Sequence, residues 1–180
     1  MAQNYEILKR KTMYTGRVFD VEKLTMRLPD QRETQYDLVQ HNGAVTILPL
    51  DKDGTVWFVE QYRIGAQAYL LELPAGVLKS GEDPDECALR ELREETGKSA
   101  RSLIKLGRFF MAPGYTTEEM HVYLARDLYE NPLQQDDDEF LQLIGIPLDN
   151  VRQLISDGRL MDGKSLAAFF MAQPYLNELS

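Results

Sequence analysis

One segment predicts a helix with two chemically opposed faces over residues 84–96. Asp83 suits an N-cap, Pro84 suits the first helical position, Glu86 completes a box-like cap, and Gly97 suits the left-handed position after a helix. The apolar side chains of the segment fall within about 100° on a helical wheel: Ala88, Leu89, Leu92 and Thr96. This stripe is wide enough to dock the helix on a sheet.

The other face of this helix carries carboxylates. Glu91, Glu94 and Glu95 lie within about 100° of one another at 100° per residue. An ordinary interpretation is a solvated face with an Arg90–Glu94 pair worth about 0.3–0.5 kcal/mol. That interpretation does not explain why like charges crowd within one turn, where they repel one another. We expect a hard divalent cation, Mg²⁺ or Mn²⁺, to neutralise them.

The charge balance narrows the class of ligand. The net charge is −9 and the isoelectric point is about 4.8, with Lys and Arg scattered singly. This pattern disfavours a nucleic-acid partner, because no basic stripe is available for a phosphate backbone. A small polyphosphate ligand would instead need a divalent cation between itself and the acidic protein.

Length and cysteine content predict one compact domain with a small additional element. The chain has 180 residues, near the usual size of one domain. Cys87 is the single cysteine, so no internal disulfide can form. With neither an apolar signal region nor about 18 consecutive apolar residues, we expect a cytoplasmic protein without a membrane partner.

The alternation of Leu24, Met26 and Leu28 before the turn residues Pro29 and Asp30 predicts an antiparallel hairpin. We interpret residues 1–43 as an N-terminal β ribbon and residues 44–180 as the main domain. An isolated hairpin is marginally stable in water, so it must pack on the rest of the chain or on a second copy.

Strands outnumber helices in the rest of the chain. Residues 44–50 and 55–61 predict a hairpin around the Asp53-Gly54 turn. Further strands are predicted at residues 69–73, 102–111, 120–127 and 140–146, and further helices at 148–156 and 164–173, the last ended by Pro174. This mixed order predicts an α+β fold or a layered αβα domain rather than a doubly wound parallel sheet.

The spacing around the acidic helix resembles the Nudix box, G-x5-E-x7-R-E-U-x-E-E-x-G-U, where U is aliphatic. The last position departs from the pattern, because Lys98 stands where an aliphatic residue is expected. The matching residues are Gly76, Glu82, Arg90, Glu91, Leu92, Glu94, Glu95 and Gly97. The resemblance implies a Nudix-like αβα sandwich of mixed sheets. It also implies an enzyme that hydrolyses nucleoside diphosphates linked to another group.

The same resemblance assigns roles within the box. Glu91 and Glu95 would be the main Mg²⁺ ligands, with Glu94 beside them and the Ala75 carbonyl completing the site. Arg90, which we group with Glu94 among the catalytic residues, would orient these carboxylates through salt bridges. Glu82 would support it in this role.

The flanks of the box resemble the ADP-ribose pyrophosphatase branch. Residues 59–63, 71–76 and 112–118 carry this likeness. The implied substrate-binding residues are Arg63, Glu72, Gly76, Pro113, Gly114 and Glu118. The acidic run 136–139 resembles a loop that supplies the catalytic carboxylate, with Asp136, Asp138 and Glu139 as candidates. Taken alone, Pro113-Gly114 would be a turn, Arg63 a surface charge and the acidic run a solvated loop.

By resemblance, the expected reaction is Mg²⁺-dependent cleavage of the diphosphate of a nucleoside diphosphate sugar. ADP-ribose would give AMP and ribose 5-phosphate, and Mn²⁺ could replace Mg²⁺. The resemblance to the ADP-ribose pyrophosphatase branch also implies a homodimer formed through the N-terminal ribbon. This ribbon would contact the nucleotide base of the substrate. Residues 162–165 are similar to a stretch of GDP-mannose hydrolases, which leaves GDP-mannose or another nucleotide sugar open. A non-catalytic nucleotide-sensing module is the alternative of another class, although no glutamate of the box is missing.

Overall fold

The computed structural model describes residues 4–135 and 140–176 and divides into two compact units. The first unit comprises Met1–Gly43 and Phe110–Glu119, and the second comprises Ala44–Phe109 and Met120–Ser180. Within the described ranges, no helix is long and apolar enough to cross a membrane. The two units are described separately below.

The first unit contains a three-stranded antiparallel sheet in the order β1-β2-β3. The predicted hairpin is its β2–β3 pair, with Leu24 opposite Tyr36. The strands are β1 (Glu6–Thr15), β2 (Phe19–Arg27) and β3 (Glu33–His41). Strand β1 was not predicted, because its nearly continuous exposure leaves no apolar alternation in the sequence.

The second unit contains a four-stranded and a three-stranded sheet. Their orders are β7-β4-β9-β8 and β10-β5-β6. Strand β4 runs parallel to β9 and antiparallel to β7, so the first of these sheets is mixed. The strands are β4 (Ala44–Pro49), β5 (Thr55–Arg63), β6 (Ala68–Glu72), β7 (Ala75–Val77), β8 (Lys98–Phe110), β9 (Glu119–Glu130) and β10 (Leu141–Pro147).

The predicted hairpin of β4 and β5 is wrong. The turn itself forms, since the Asp51 N–H donates to the Thr55 carbonyl and the Gly54 N–H donates to the Asp51 carbonyl. Beyond a single bridge between Leu50 and Val56, however, the strands separate into different sheets. The reason is that β7 and β9 occupy both edges of β4, which leaves no edge for β5.

Three helices complete the second unit: α1 (Pro84–Thr96), α2 (Leu148–Ser156) and α3 (Gly163–Leu176). The first two have the predicted bounds. The prediction that Pro174 ends the third helix is wrong, because Pro174 lies inside α3. In the last turn a proline removes one backbone hydrogen bond, and the fully buried Ala172 and Leu176 on either side hold this turn against the core.

Strand β4 separates the two hydrophobic clusters of the second unit. Val45 and Ile47 pack in one cluster with residues of α1. Leu48 packs in the other with residues of α2 and α3. Because side chains alternate along a strand, α1 and α3 cover opposite faces of this sheet, which gives the αβα sandwich. The predicted α+β fold is therefore confirmed.

We expect Ile47→Ala to lower the free energy of unfolding by about 2–5 kcal/mol, because it opens a cavity between β4 and α1. Ile47 is fully buried. Ile64→Ala is the matched control, since Ile64 is 86% exposed. Urea unfolding of both variants measures the difference. Equal stability of the two variants would contradict this placement of the core.

Candidate active site

Helix α1 is held at both ends. The Asp83 side chain accepts from the Asp85 N–H, and Gly97 adopts φ 72° while its N–H donates to the Arg93 carbonyl. The Tyr123 hydroxyl on β9 donates to the Asp85 carboxylate at 2.6 Å. Burial, together with this hydrogen bond, raises the pKa of Tyr123, which keeps it a donor. The sheet therefore fixes the helix that carries the glutamates.

The carboxylate face of α1 packs inward. It is not the solvated face of an ordinary charged helix, because Glu91 is 7% and Glu95 is 3% exposed. The Ala75 N–H of β7 donates to Glu95 at 3.1 Å. A Cβ built on Gly76 would lie 1.9 Å from the Glu91 carboxyl carbon. Glycine is therefore required at position 76, because any side chain there would displace the Glu91 carboxylate.

Arg90 lies at the centre of a carboxylate cluster formed by Glu82, Glu91 and Glu94. Its guanidinium donates to both Glu82 oxygens, at 2.7 and 2.9 Å, and to Glu94 at 2.9 Å. It also donates to Glu91. The hydrogen bonds from Arg90 lower the pKa of Glu82 to about 2. Part of the expected repulsion is therefore relieved by an arginine of the same helix.

A second charged cluster is centred on Glu72, which is 1% exposed. Arg63 donates to both of its oxygens, at 2.8 Å from Nε and 2.6 Å from Nη2, and Lys164 also pairs with it. Lys164 pairs in addition with Asp162 at 3.0 Å. Burial raises the pKa of Glu72, but the bonds from Arg63 and Lys164 outweigh burial and hold it below its usual range. Glu72 remains a carboxylate.

This second cluster changes the interpretation of Arg63. The Nε–Nη2 edge that would grip a phosphate in a bidentate manner already grips Glu72. The hydrogen bonds from Glu72, and the nearby charges of Glu95 and Asp162, raise the pKa of Arg63. Arg63 is therefore a cation fixed beside the carboxylate cluster rather than a mobile surface charge.

Lys164 was missed as a site residue. Its only sequence signal was the similarity of residues 162–165 to nucleotide-sugar hydrolases, which does not reveal burial. The Asp162 carboxylate accepts from the Ser165 N–H and hydroxyl. The Ser165 oxygen in turn accepts from the Leu73 N–H at 2.7 Å. These bonds tie the start of α3 to the segment between β6 and β7.

A cavity of about 520 Å³ lies beside the carboxylates. Its walls come from the end of α1, from β10 and from the segment after β9. The lining residues are Glu94, Glu95, Thr96, Gly97, Pro132, Leu133, Gln134, Gln135, Leu141 and Leu143. A substrate group reaching Glu94 or Glu95 can therefore be accommodated on this side of the helix.

The remaining predicted site residues are not part of the two charged clusters described above. Pro113, Gly114 and Glu118 lie in the first unit, where Tyr115 and Thr116 N–H groups close a turn on the Ala112 carbonyl. Asp136, Asp138 and Glu139 lie outside the described residues. In residues 4–135 and 140–176, no three His, Cys, Asp or Glu residues form a ready metal cluster.

The departure from the box at Lys98 has a local explanation. Its ammonium lies 4.7 Å from the ring centroid of Trp57 and donates to Glu130 at 2.6 Å. The aliphatic stem thus occupies the apolar position while the charge reaches a cation–π contact and an ion pair. The substitution leaves the carboxylate cluster intact.

Comparisons with known proteins identify the family. The NUDIX domain matches residues 40–169. The chain belongs to the Nudix family. An ADP-ribose pyrophosphatase of Bacillus subtilis (strain 168) is 33% identical over 89% of this chain and 88% of its own. A methanol dehydrogenase activator of Bacillus methanolicus is 36% identical over the same shares.

A solved structure described as an ADP compounds hydrolase superposes with a TM-score of 0.88 at 29% identity, covering 100% of this chain and 98% of that chain. The protein is accordingly a Nudix hydrolase. Nudix hydrolases generally need a divalent metal. Both the fold and the enzyme class expected from the box are confirmed.

We expect Glu82→Gln to destabilise the protein in a pH-dependent manner. The folded-state pKa of Glu82, about 2, lies below its ordinary value of 4.5. Its ionised form therefore stabilises the fold above about pH 4.5, and this contribution disappears as the pH falls towards 2. Urea unfolding of both proteins between pH 2.5 and about 6.5 should show a difference that shrinks with acid. A difference that stays constant over this range would contradict the assignment.

Proposed function

We propose that this Nudix hydrolase cleaves the diphosphate bond of ADP-ribose or a related nucleoside diphosphate sugar, giving AMP and ribose 5-phosphate from ADP-ribose. The observation that carries the proposal is the complete set of box glutamates, of which Glu91 packs on Gly76 and Glu91 and Glu94 are oriented by Arg90. The names of the ADP-ribose pyrophosphatase and the ADP compounds hydrolase support an ADP-linked substrate.

We infer that Glu91, Glu94, Glu95 and the Ala75 carbonyl hold Mg²⁺, or Mn²⁺ in its place. The donor set fits, because all four groups offer hard oxygen atoms and Gly76 leaves space for the Glu91 carboxylate where a Cβ would intrude. When bound, the ion would neutralise phosphate charge and acidify a water. Cys87 is unsuited as a ligand or nucleophile, because burial raises the pKa of its thiol to about 12.

The side chains of the protein have the following proposed roles. Arg90 and Glu82 hold the carboxylates in place, so that their geometry does not depend on the substrate. Arg63 offers its remaining N–H groups to a phosphate, while Glu72 and Lys164 keep it oriented. A carboxylate of the acidic run, from Asp136, Asp138 or Glu139, takes the proton of the attacking water.

Substrate contacts of the first unit are also proposals. Pro113, Gly114 and Glu118 would contact the nucleotide, and the ribbon of residues 1–43 would contact the base. The single, buried Cys87 agrees with a cytoplasmic location.

The test is hydrolysis of ADP-ribose, GDP-mannose and other nucleotide sugars, with Mg²⁺, with Mn²⁺ and after chelation. We expect ADP-ribose to be cleaved only with metal, and Glu95→Gln to lower kcat by several orders of magnitude while keeping the fold. Glu86→Gln is a matched control on the exposed side of α1. Undiminished turnover after chelation, or in Glu95→Gln, would refute the metal assignment. Preferential cleavage of GDP-mannose would replace the proposed substrate.

We also propose a homodimer formed through the N-terminal ribbon. Leu24, the most buried residue of the apolar alternation, does not require a second copy, because it is only 5% exposed in the single chain. Apolar side chains of the ribbon nevertheless remain exposed: Tyr5, Ile7, Met13, Tyr14, Val18, Phe19 and Tyr36. Such a surface suits an isologous contact with a second copy.

We expect light scattering to give twice the chain mass of 20.7 kDa. Met13→Glu together with Tyr36→Glu should yield monomers, because both side chains are about half exposed on the ribbon. Ile64→Glu in the second unit is the control that should remain dimeric. A monomeric wild-type protein would refute the dimer.

A further inference from the structure

Gln61 lies on the face of the three-stranded sheet that carries the second charged cluster. Side chains alternate between the two faces of a strand, so Gln61 and Arg63 of β5 share one face. Across the ladder, Gln61 is opposite Leu70 of β6, and Val59 is opposite Glu72. The two hydrogen bonds between Arg63 and Glu72 confirm that these side chains project to the same side. Gln61 is therefore the neighbour of Arg63 on the face that holds the Arg63–Glu72 pair.

Gln61 also adjoins the wall of the cavity beside the carboxylates. Leu141 of β10 is paired with Gln61, so the two side chains share a face. Leu141 lines the 520 Å³ cavity that Glu95 also lines. The hydrogen bonds from Glu72, and the nearby charge of Glu95, raise the pKa of Arg63. Gln61 therefore stands between the cavity and the cation that we propose as a phosphate contact.

The side-chain amide of Gln61 has no partner in the part of the chain that the structure describes. The charged side chains beside it are already engaged, because Arg63 binds Glu72 and Lys164 binds the same carboxylate. Gln61 itself is only partly exposed. Its carboxamide has two N–H donors and one acceptor oxygen, and these groups are left for a ligand or for water.

We propose that Gln61 is a specificity-determining residue, which hydrogen-bonds a hydroxyl of the sugar attached to the diphosphate. A carboxamide both donates and accepts, as a hydroxyl does, whereas a phosphate oxygen only accepts and is better matched by a cation. The proposal rests on the proposed function, in which Arg63 contacts a phosphate and the first unit contacts the nucleotide. The sugar is the part of such a substrate that still lacks a proposed partner.

The spacing along the sheet fits this role. Residues two apart on a strand are separated by about 6.8 Å, and a sugar follows its phosphate directly. A hydroxyl of that sugar can therefore reach the residue beside the phosphate contact. The cavity extends from there along Leu141 and Leu143, which are paired with Gln61 and Val59 and so lie on the side away from Arg63. This direction gives a sugar ring room without displacing the Arg63–Glu72 pair.

The experiment compares Gln61→Met and Gln61→Leu with the wild-type protein on its best cleaved nucleotide sugar, expected to be ADP-ribose. The companion ligand is the methyl ester of the same nucleoside diphosphate, in which a methyl group replaces the sugar. We expect both substitutions to raise KM for the nucleotide sugar about 10-fold, because a sugar hydroxyl loses its partner, while kcat stays within about threefold. The inhibition constant of the methyl ester should stay within about twofold of wild type.

Gln142→Leu is the matched control. Gln142 is exposed on β10 and paired with Glu60, so it lies on the opposite face of the same sheet. Its substitution should leave KM and kcat for the nucleotide sugar unchanged.

Two further measurements separate sugar binding from a loss of structure. Inhibition by the sugar phosphate product, ribose 5-phosphate from ADP-ribose, should weaken about 10-fold in Gln61→Met, whereas inhibition by AMP should not change. The urea midpoints of both Gln61 variants should equal that of the wild-type protein within experimental error. Met and Leu differ in shape but both lack the amide, so the same result from the two variants excludes an effect of packing.

An unchanged KM for the nucleotide sugar in both Gln61 variants would overturn the proposal, because the amide would then face only water. An equal weakening of the nucleotide sugar and of the methyl ester would also overturn it, since the amide would then serve the phosphates or the fold. In either case the proposed function would stand. A wild-type protein that cleaves no nucleotide sugar would overturn the proposed function, and this inference with it.

Discussion

The close contact between Gly76 and Glu91 is the constraint on which the site depends. A glutamate that is 7% exposed can pack on β7 only where the backbone carries no side chain. This contact sets the distance between α1 and β7, and the Ala75 N–H then reaches Glu95. The bond from Tyr123 to Asp85 fixes the other end of the same helix.

Two buried charge clusters flank this contact, and they are balanced differently. Around Arg90, three carboxylates share one guanidinium, those of Glu82, Glu91 and Glu94. Around Glu72, two cations, Arg63 and Lys164, face that carboxylate and Asp162. The first cluster therefore favours an added cation, and the second is neutral and can tolerate an anion. These two charge balances agree with the proposed metal ligands on one side and the proposed phosphate contact of Arg63 on the other.

The sequence was most informative where local chemistry decides the structure. The bounds of α1 follow from Asp83, Pro84 and Gly97, whose preferences act within one turn. The box spacing likewise indicated which carboxylates share a face. Prediction failed where distant partners decide, as for β4, whose edges are taken by β7 and β9, and for Pro174, which is held in a helix by buried neighbours. The burial of Lys164 beside Glu72 depends on a contact across 92 residues, which no local pattern contains.

The ion pairs of the site also show why its charged residues are not interchangeable. Glu82 gives both oxygens to Arg90 and accepts the Lys79 N–H, so its charge is used to orient the arginine. The hydrogen bonds from Arg90 outweigh the desolvation of Glu82, so the ionised pair also stabilises the fold. Its benefit is geometric as well, since Arg90 held by Glu82 keeps Glu91 and Glu94 in fixed rotamers. The same ion pairs that stabilise the fold thus hold the oxygen atoms of Glu91 and Glu94 in place before any ligand arrives, which is the property that the proposed divalent-cation site would require.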